Sequence, residues 1–296
     1  MSVNAPNLFV SQFSTNLDLL LQQKGSKLRG RVMTGTHQGK QASPVDQIGA
    51  VEATVPAGRF APIGRTDALL TRRWVFPQDR EIPQMFDRFD QLRMISDPKS
   101  RYAENAAYGI GRAWDDAIIA AALATSQIGE TGTGTETFPA GDIIAENFGG
   151  ADSGLTAAKI IEAKRIFEDH KVDLDADPMT IVISPTMHAN LLNQAVVTST
   201  DFNKPGPRPV LTEGKVTSFL GADIVVSTRL QLTDTDDRQA IAFVKSGMYL
   251  GIWEDIFNDV SQRKDLSGLP WQLYTCATFG ATRLQAGKVV SILCDE

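Results

Sequence analysis

Three histidines stand in the chain, His37, His170 and His188, and none is spaced from another histidine or from a cysteine as metal ligands are. Cys276 and Cys294 are far apart and have no second pair, so neither a zinc site nor a disulfide framework is expected. Asp173, Asp175 and Asp177 alternate like the start of a calcium loop. Pro178 and Met179 follow, the turn glycine and closing glutamate are missing, and the run reads as an acidic surface turn. Gly150-Ala151-Asp152-Ser153-Gly154 puts serine one place away from a nucleophile elbow. Residues Gly129 to Gly141 alternate glycine and threonine but lack the Gly-Lys-Ser/Thr ending of a phosphate loop, and read as a mobile loop. Asp115 and Asp116 are adjacent on a helix, where neighbours do not face one another, so they read as salt-bridge acids and not as an acid/base pair. The expectation is a protein with no catalytic residues, no cofactor and no metal.

Charge distribution is more informative. No acid lies between Asp18 and Asp46, while Lys24, Lys27, Arg29, Arg31 and Lys40 all do. Such a basic arm calls for an anionic partner, either acids of a neighbouring chain or phosphate. Arg59, Arg65, Arg72, Arg73 and Arg80 then face Glu52, Asp67 and Asp79 before Glu81 is reached. Charge arranged in this way suits register between subunits better than catalysis. The candidate subunit-interface residues are therefore Lys24, Lys27, Arg29, Arg31, Arg59, Arg65, Arg72, Arg73, Trp74, Asp115 and Asp116.

The elements that must position these residues can be read along the chain. Residues 1–45 form an arm with a short helix from Phe13 to Gln23, followed by a glycine-rich basic stretch that builds no core of its own. Residues 46–85 read as a long two-stranded hairpin: Val51, Ala53 and Val55 alternate, Pro56 to Gly64 turn the chain, and Leu69 to Phe76 return. A lone hairpin is marginal in water and needs a surface to lie on. A helix runs from Pro98, capped by Asp97, to about Ser126, with Ala103, Ala107, Ile110, Trp114, Ala117, Ala121 and Ala124 as its apolar stripe. A helix of that length reaches roughly 43 Å. Gly109 and Gly111 inside it are expected to admit another backbone. Beyond it, helices from Thr156 to His170 and from Ser184 to Gln194 alternate with strands at Met179–Ile183, Ile224–Val226 and Ile241–Val244. Thr200 to Pro209 reads as a loop. The close is strand-rich, at Met248–Trp253, Trp271–Phe279 and Val289–Leu293, which makes the chain α+β.

With 296 residues and 42% hydrophobic residues the chain can bury a large core. Its net charge of −6 argues against a dedicated nucleic-acid binder. No apolar run is long enough for a bilayer, and Met1 to Val10 lacks the pattern of a signal peptide, so no membrane partner is expected.

The order of segments resembles the major capsid proteins of tailed bacteriophages, the HK97-like fold. The resemblance rests on Phe86-Asp87-Arg88-Phe89-Asp90 leading into Asp97-Pro98 and Tyr102 to Ile119, on Ile181-Val182-Ile183-Ser184-Pro185, and on Phe219-Leu220-Gly221-Ala222-Asp223-Ile224-Val225-Val226-Ser227. It implies an N-terminal arm at 1–45, an E-loop hairpin at 46–85, a peripheral domain with the spine helix at 86–174, an axial domain at 175–247, and C-terminal strands at 248–296 returning to the peripheral domain. It further implies hexamers and pentamers closing an icosahedral head around double-stranded DNA held without sequence specificity, in a virion assembled in the host bacterial cytoplasm. Expected partners are copies of the chain itself, a separate scaffolding protein, a portal and a decoration protein. An encapsulin-like compartment of the same fold is the alternative, and an unrecognised soluble enzyme a more distant one. Some relatives cross-link an E-loop lysine to a neighbour's asparagine. Here no lysine lies between Lys40 and Lys99, so no such bond is expected from the hairpin.

Overall fold

The structure is a computed structural model, and it describes residues 21–40, 46–55, 58–59, 64–86, 99–150, 152–194, 216–233 and 237–296. The helix expected from Phe13, the Asp97 cap, the Phe86–Asp90 motif beyond its first residue and the Thr200–Pro209 loop lie wholly or mainly outside these.

In chain order the elements are β1 (Met33–Thr36), β2 (Asp46–Ile48), β3 (Leu70–Trp74), β4 (Gln78–Phe86), α1 (Lys99–Leu123), β5 (Ser126–Ile128), β6 (Gly134–Glu136), β7 (Ile143–Ile144), α2 (Ala157–Asp169), β8 (Met179–Ile183), α3 (Pro185–Leu192), β9 (Ser218–Phe219), β10 (Ala222–Val226), β11 (Asp237–Val244), β12 (Met248–Gln262), β13 (Trp271–Arg283) and β14 (Val289–Asp295). The chain divides into two compact units. The first holds residues 1–26, 79–113 and 254–277, and the second 27–78, 114–253 and 278–296.

The second unit is organised by a six-stranded mixed sheet in the order β7-β14-β11-β8-β10-β9. All five residues of β8 are buried, Thr180 among four apolar side chains, as in a central strand covered on both faces. β8 pairs parallel with β10 and antiparallel with β11, and β11 pairs antiparallel with β14. The core on this sheet gathers Ile160, Ala163 and Phe167 of α2, Met187 and Leu191 of α3, and Ile181, Ile224, Ala242 and Ile292 of the strands. Both helices start as their sequences dictate. Thr156 accepts from the Lys159 amide, and Ser184 accepts from the Met187 amide with Pro185 in the first turn.

Of residues 248–296, β12 and β13 lie in the four-stranded sheet β1-β12-β13-β4 and β14 in the six-stranded one. Val289, Val290, Ser291 and Ile292 are buried on both faces, so the strand pairs inside the sheet built from 179–244. Three differences from expectation have local causes. β4 neighbours β13 and takes no part in the hairpin, which therefore ends at Trp74 and not at residue 85. Val51 to Val55 alternate but form no strand, and β2 and β3 pair only from Asp46↔Arg72 to Ile48↔Leu70. The stretch after Gly129, expected to be a mobile loop, is turned back as β6 against β5, and β5 pairs with β3. Gly129 and Gly132 supply the positive φ values that this turn needs.

On α1 the buried positions are Ala106, Ile110, Gly111, Trp114, Asp115, Ile118, Ile119 and Ala122, one stripe with steps of three and four. The expected alanine stripe was rotated by about one position except at Ile110 and Trp114. In the first unit, a Cβ at Gly111 would stand 2.7 Å from the Gly25 backbone, and one at Gly109 would stand 2.7 Å from Ile82 Cδ1. Gly111 thus admits a second backbone, while Gly109 admits a side chain. Beside them, Arg112 donates to Gln22 Oε1 at 2.8 Å and to the Gln23 carbonyl at 3.1 Å.

Candidate assembly surfaces

The basic arm is the first candidate surface. From Lys27 onward it belongs to the second unit and is fastened there by main-chain groups. The amides of Lys27 and Leu28 donate to the Asp115 carboxylate at 3.1–3.2 Å, and Asp115 is fully buried. Lys27 Nζ donates to the Val226 carbonyl at 2.7 Å. Arg29 lies over the Trp114 ring at 4.3 Å, a cation–π contact. Arg31 donates to Asp223 at 2.6 Å. The acidic partner anticipated on a neighbour is thus found, for Arg31, on the same chain. Asp116 points elsewhere from Asp115 and forms a two-pronged pair with Arg229, which raises the guanidinium pKa through that hydrogen bond.

Beyond Arg31 the arm becomes β1, parallel to the start of β12 with Gly35 opposite Gly251. A side chain at Gly35 would overlap the Tyr249 hydroxyl, and one at Gly251 would press on His37 and Trp253. The two glycines leave room for His37 between these aromatic rings, at 5.6 Å and 5.4 Å between centroids. His37 Nε2 and Tyr249 Oη are 2.6 Å apart, and Trp253 donates to the Gly39 carbonyl at 2.8 Å. Burial lowers the His37 pKa and raises that of Tyr249. Sequence reading missed this clamp; the paired glycines were its only trace.

The hairpin is the second candidate surface. Arg72 grips Asp46 across β2 and β3 at 2.6 and 2.9 Å, chiefly a hydrogen-bonded pair that raises the arginine pKa. Arg73 points the other way into the protein, where it donates to the Leu284 carbonyl at 2.7 Å and pairs with Glu136. Trp74 Nε1 donates to the Gly129 carbonyl at 2.7 Å and its ring covers Gly132. The base of the hairpin is therefore rigidly held. After the Gly49–Leu69 backbone bond no ladder continues among the described residues. Val55 is 93% exposed and Leu69 73%, with Ile48, Val51 and Leu70 also exposed. Arg59 is exposed, and Arg65 is tied to Asp67 at 2.8 Å. Lys24, in the first unit, is exposed.

Among the described residues no group of three or more His, Cys, Asp and Glu side chains is placed to hold a metal ion, and no helix is long and apolar enough to cross a membrane. Both cysteines are free, and burial pushes the Cys294 thiol up to about 12.

The model of the phage capsid protein family matches residues 5–296. No curated protein sequence matches. Among solved structures, the capsid subunit of cyanophage Pam1 superposes with a TM-score of 0.74 at 11% identity, covering 98% of this chain and 97% of that one. The capsid of cyanophage P-SCSP1u gives 0.73 at 17% identity, with 100% and 96% covered, and that of Ralstonia phage GP4 gives 0.71 at 10%, with 100% and 97% covered. At such identities the superpositions speak for the fold, and the family match covers nearly the whole sequence. The chain belongs to the phage capsid protein family, with an α+β fold of the HK97-like kind and a structural role.

Proposed function

We propose that this major capsid protein closes an icosahedral head by associating as hexamers and pentamers around double-stranded DNA, with the hairpin at 46–74 as the clasp between neighbours. One observation carries the reading. The hairpin displays Ile48, Val51, Val55, Leu69 and Leu70 to solvent, and among the described residues its strands pair only from Asp46↔Arg72 to Ile48↔Leu70. Apolar side chains on an arm that makes no core of its own are stabilised when a second surface covers them. Many such contacts per shell add up to high avidity although each is weak.

In this reading the hairpin is an E-loop shortened to 46–74, residues 1–45 are the arm, α1 is the spine of a peripheral domain, and β8 to β11 with β14 form the axial domain. Lys24 and Arg59 reach toward neighbours. Arg31, Arg72, Arg73, Asp115 and Asp116, which have partners in their own chain, hold the arm and hairpin in shape. Scaffolding protein, portal and decoration protein complete the assembly, which takes place in the host bacterial cytoplasm.

The test is replacement of residues 51–67 by a short Gly-Ser linker. The purified variant is expected to keep the melting temperature of the wild-type subunit and to form no closed particles under negative-stain microscopy. Normal particles from the variant would end the assignment. The contents of wild-type particles isolated from infected cells separate the phage head, which holds DNA, from an encapsulin-like compartment, which holds protein.

A further inference from the structure

Among the described residues, three that are not glycine have φ in the left-handed region: Lys171 at +59°, Leu220 at +53° and Leu269 at +49°. Lys171 has an ordinary reason. It follows the C-cap of α2, where a left-handed residue ends a helix, and its amide donates to the Glu168 carbonyl.

The leucines have no such reason. Leu220 and Gly221 are the two turn residues between β9 and β10, with Phe219 paired to Ala222, and both have positive φ. A turn of this kind favours asparagine before the glycine, and a leucine there forces its Cβ against the following carbonyl. Leu269 follows Gly268, again two successive left-handed residues, and precedes Pro270, which presses its neighbour toward extended backbone.

Packing within the chain covers only part of either side chain. Leu220 is 42% exposed and Leu269 40%, and Leu266 in the same loop as Leu269 is 41% exposed. The second loop is also framed to present them. Arg263 N donates to the Pro270 carbonyl at 2.9 Å, Gln262 Nε2 to the Leu269 carbonyl at 3.2 Å, and the Arg263 guanidinium holds Asp265 with two bonds of 2.6 and 2.7 Å. Strained backbone that persists on a surface, carrying an apolar side chain outward, marks a position chosen for what it touches.

We propose that the turns at Leu220 and at Leu266–Leu269 are contact points on a second copy of this chain, with the leucine side chains seated in apolar surface of the neighbour. The inference rests on the capsid reading, which supplies the second copy, and names side chains that the hairpin argument does not involve. In the free subunit each leucine is a cost, and in the shell it is covered.

The experiment compares wild type with Leu220→Asn, Leu269→Asn and the double variant. Asparagine tolerates left-handed backbone, so the melting temperature of each unassembled single variant should rise by roughly 2–4 °C. The yield of closed particles from the double variant should fall at least tenfold at fixed protein concentration. A lowered melting temperature would show that the leucine packs within its own chain and would overturn the proposal for that turn, as would wild-type particle yield from its variant. If the wild-type protein co-expressed with the scaffolding protein forms no particles, the capsid reading fails and the contact fails with it; wild-type particles with equally good particles from the double variant sink the contact alone.

Discussion

Arg283 donates from its guanidinium to the main-chain carbonyl of Ala122 at 2.8 Å, in the last turn of α1, and to that of Ala124 just beyond it at 3.0 Å. The last turn of α1 contains no basic residue of its own, so a side chain from β13 satisfies carbonyls that the helix leaves open and places positive charge at its negative end. The side chain is 1% exposed, packs over the Phe138 ring at 5.0 Å, and burial lowers its pKa while Glu136 opposes that shift.

Removing this cap should be among the costliest single changes in the second unit. Arg283→Met is expected to destabilise by about 3 kcal/mol, because buried carbonyls lose a charged donor. Arg283→Lys should recover part of the loss. Urea denaturation of the unassembled subunit measures both; a Met variant as stable as wild type would contradict the capping role.

Asp115 should hold the arm. Asp115→Ala leaves the amides of Lys27 and Leu28 without their acceptor and is expected to cost about 2 kcal/mol. Hydrogen exchange should localise the effect, with faster exchange at residues 27–36 and little change in β8 or β11.

Close backbone approaches predict a pair of glycine substitutions with opposite outcomes. A Cβ at Gly280 would overlap the Phe76 carbonyl oxygen, whereas one at Gly141 meets nothing within 4 Å. Gly280→Ala should yield little soluble protein. Gly141→Ala should express and melt like wild type.

The docking of β1 should weaken in acid. Burial lowers the His37 pKa below its usual 6.5, and no charged side chain among the described residues contributes to that shift. The folded state therefore binds the proton less readily than the unfolded state. The stability tied to neutral His37 is complete above about pH 6.5 and is lost as the pH falls from there toward the lowered value. Protection factors at Met33–Thr36, corrected for the intrinsic pH dependence of exchange, should fall between pH 7.5 and 5 in wild type, and this fall should be absent in His37→Phe.

The shell should contain no covalent bond from the hairpin, since its residues include no lysine. Mature particles boiled in denaturant are expected to run as a single subunit band. A ladder of linked subunits would refute this.

Local signals were the ones the sequence carried well. The caps at Thr156 and Ser184, the buried run Met179–Ile183 and the strand before Ser227 needed only neighbouring residues to be read, and they stand where expected. The candidate surfaces were legible in outline, as a basic arm and a hairpin. Which charges stay available was not. Arg31 and Asp223 are far apart in sequence and meet only because β1 and β10 are placed by the fold, and Arg73 and Arg72 are adjacent yet one is buried and the other paired at the surface.

By itself the sequence determined the class of the fold, the starts of the helices capped by Thr156 and Ser184, the absence of a hairpin lysine and the family to which the chain belongs, because composition, periodicity and capping are properties of short windows and their order. The tertiary structure alone decided that β14 completes the six-stranded sheet, that the hairpin ends at Trp74, and that Arg283 closes α1. It also decided that Leu220 and Leu269 sit in left-handed backbone. Pairing and burial are set by contacts between residues distant in the chain, and no short window contains both partners.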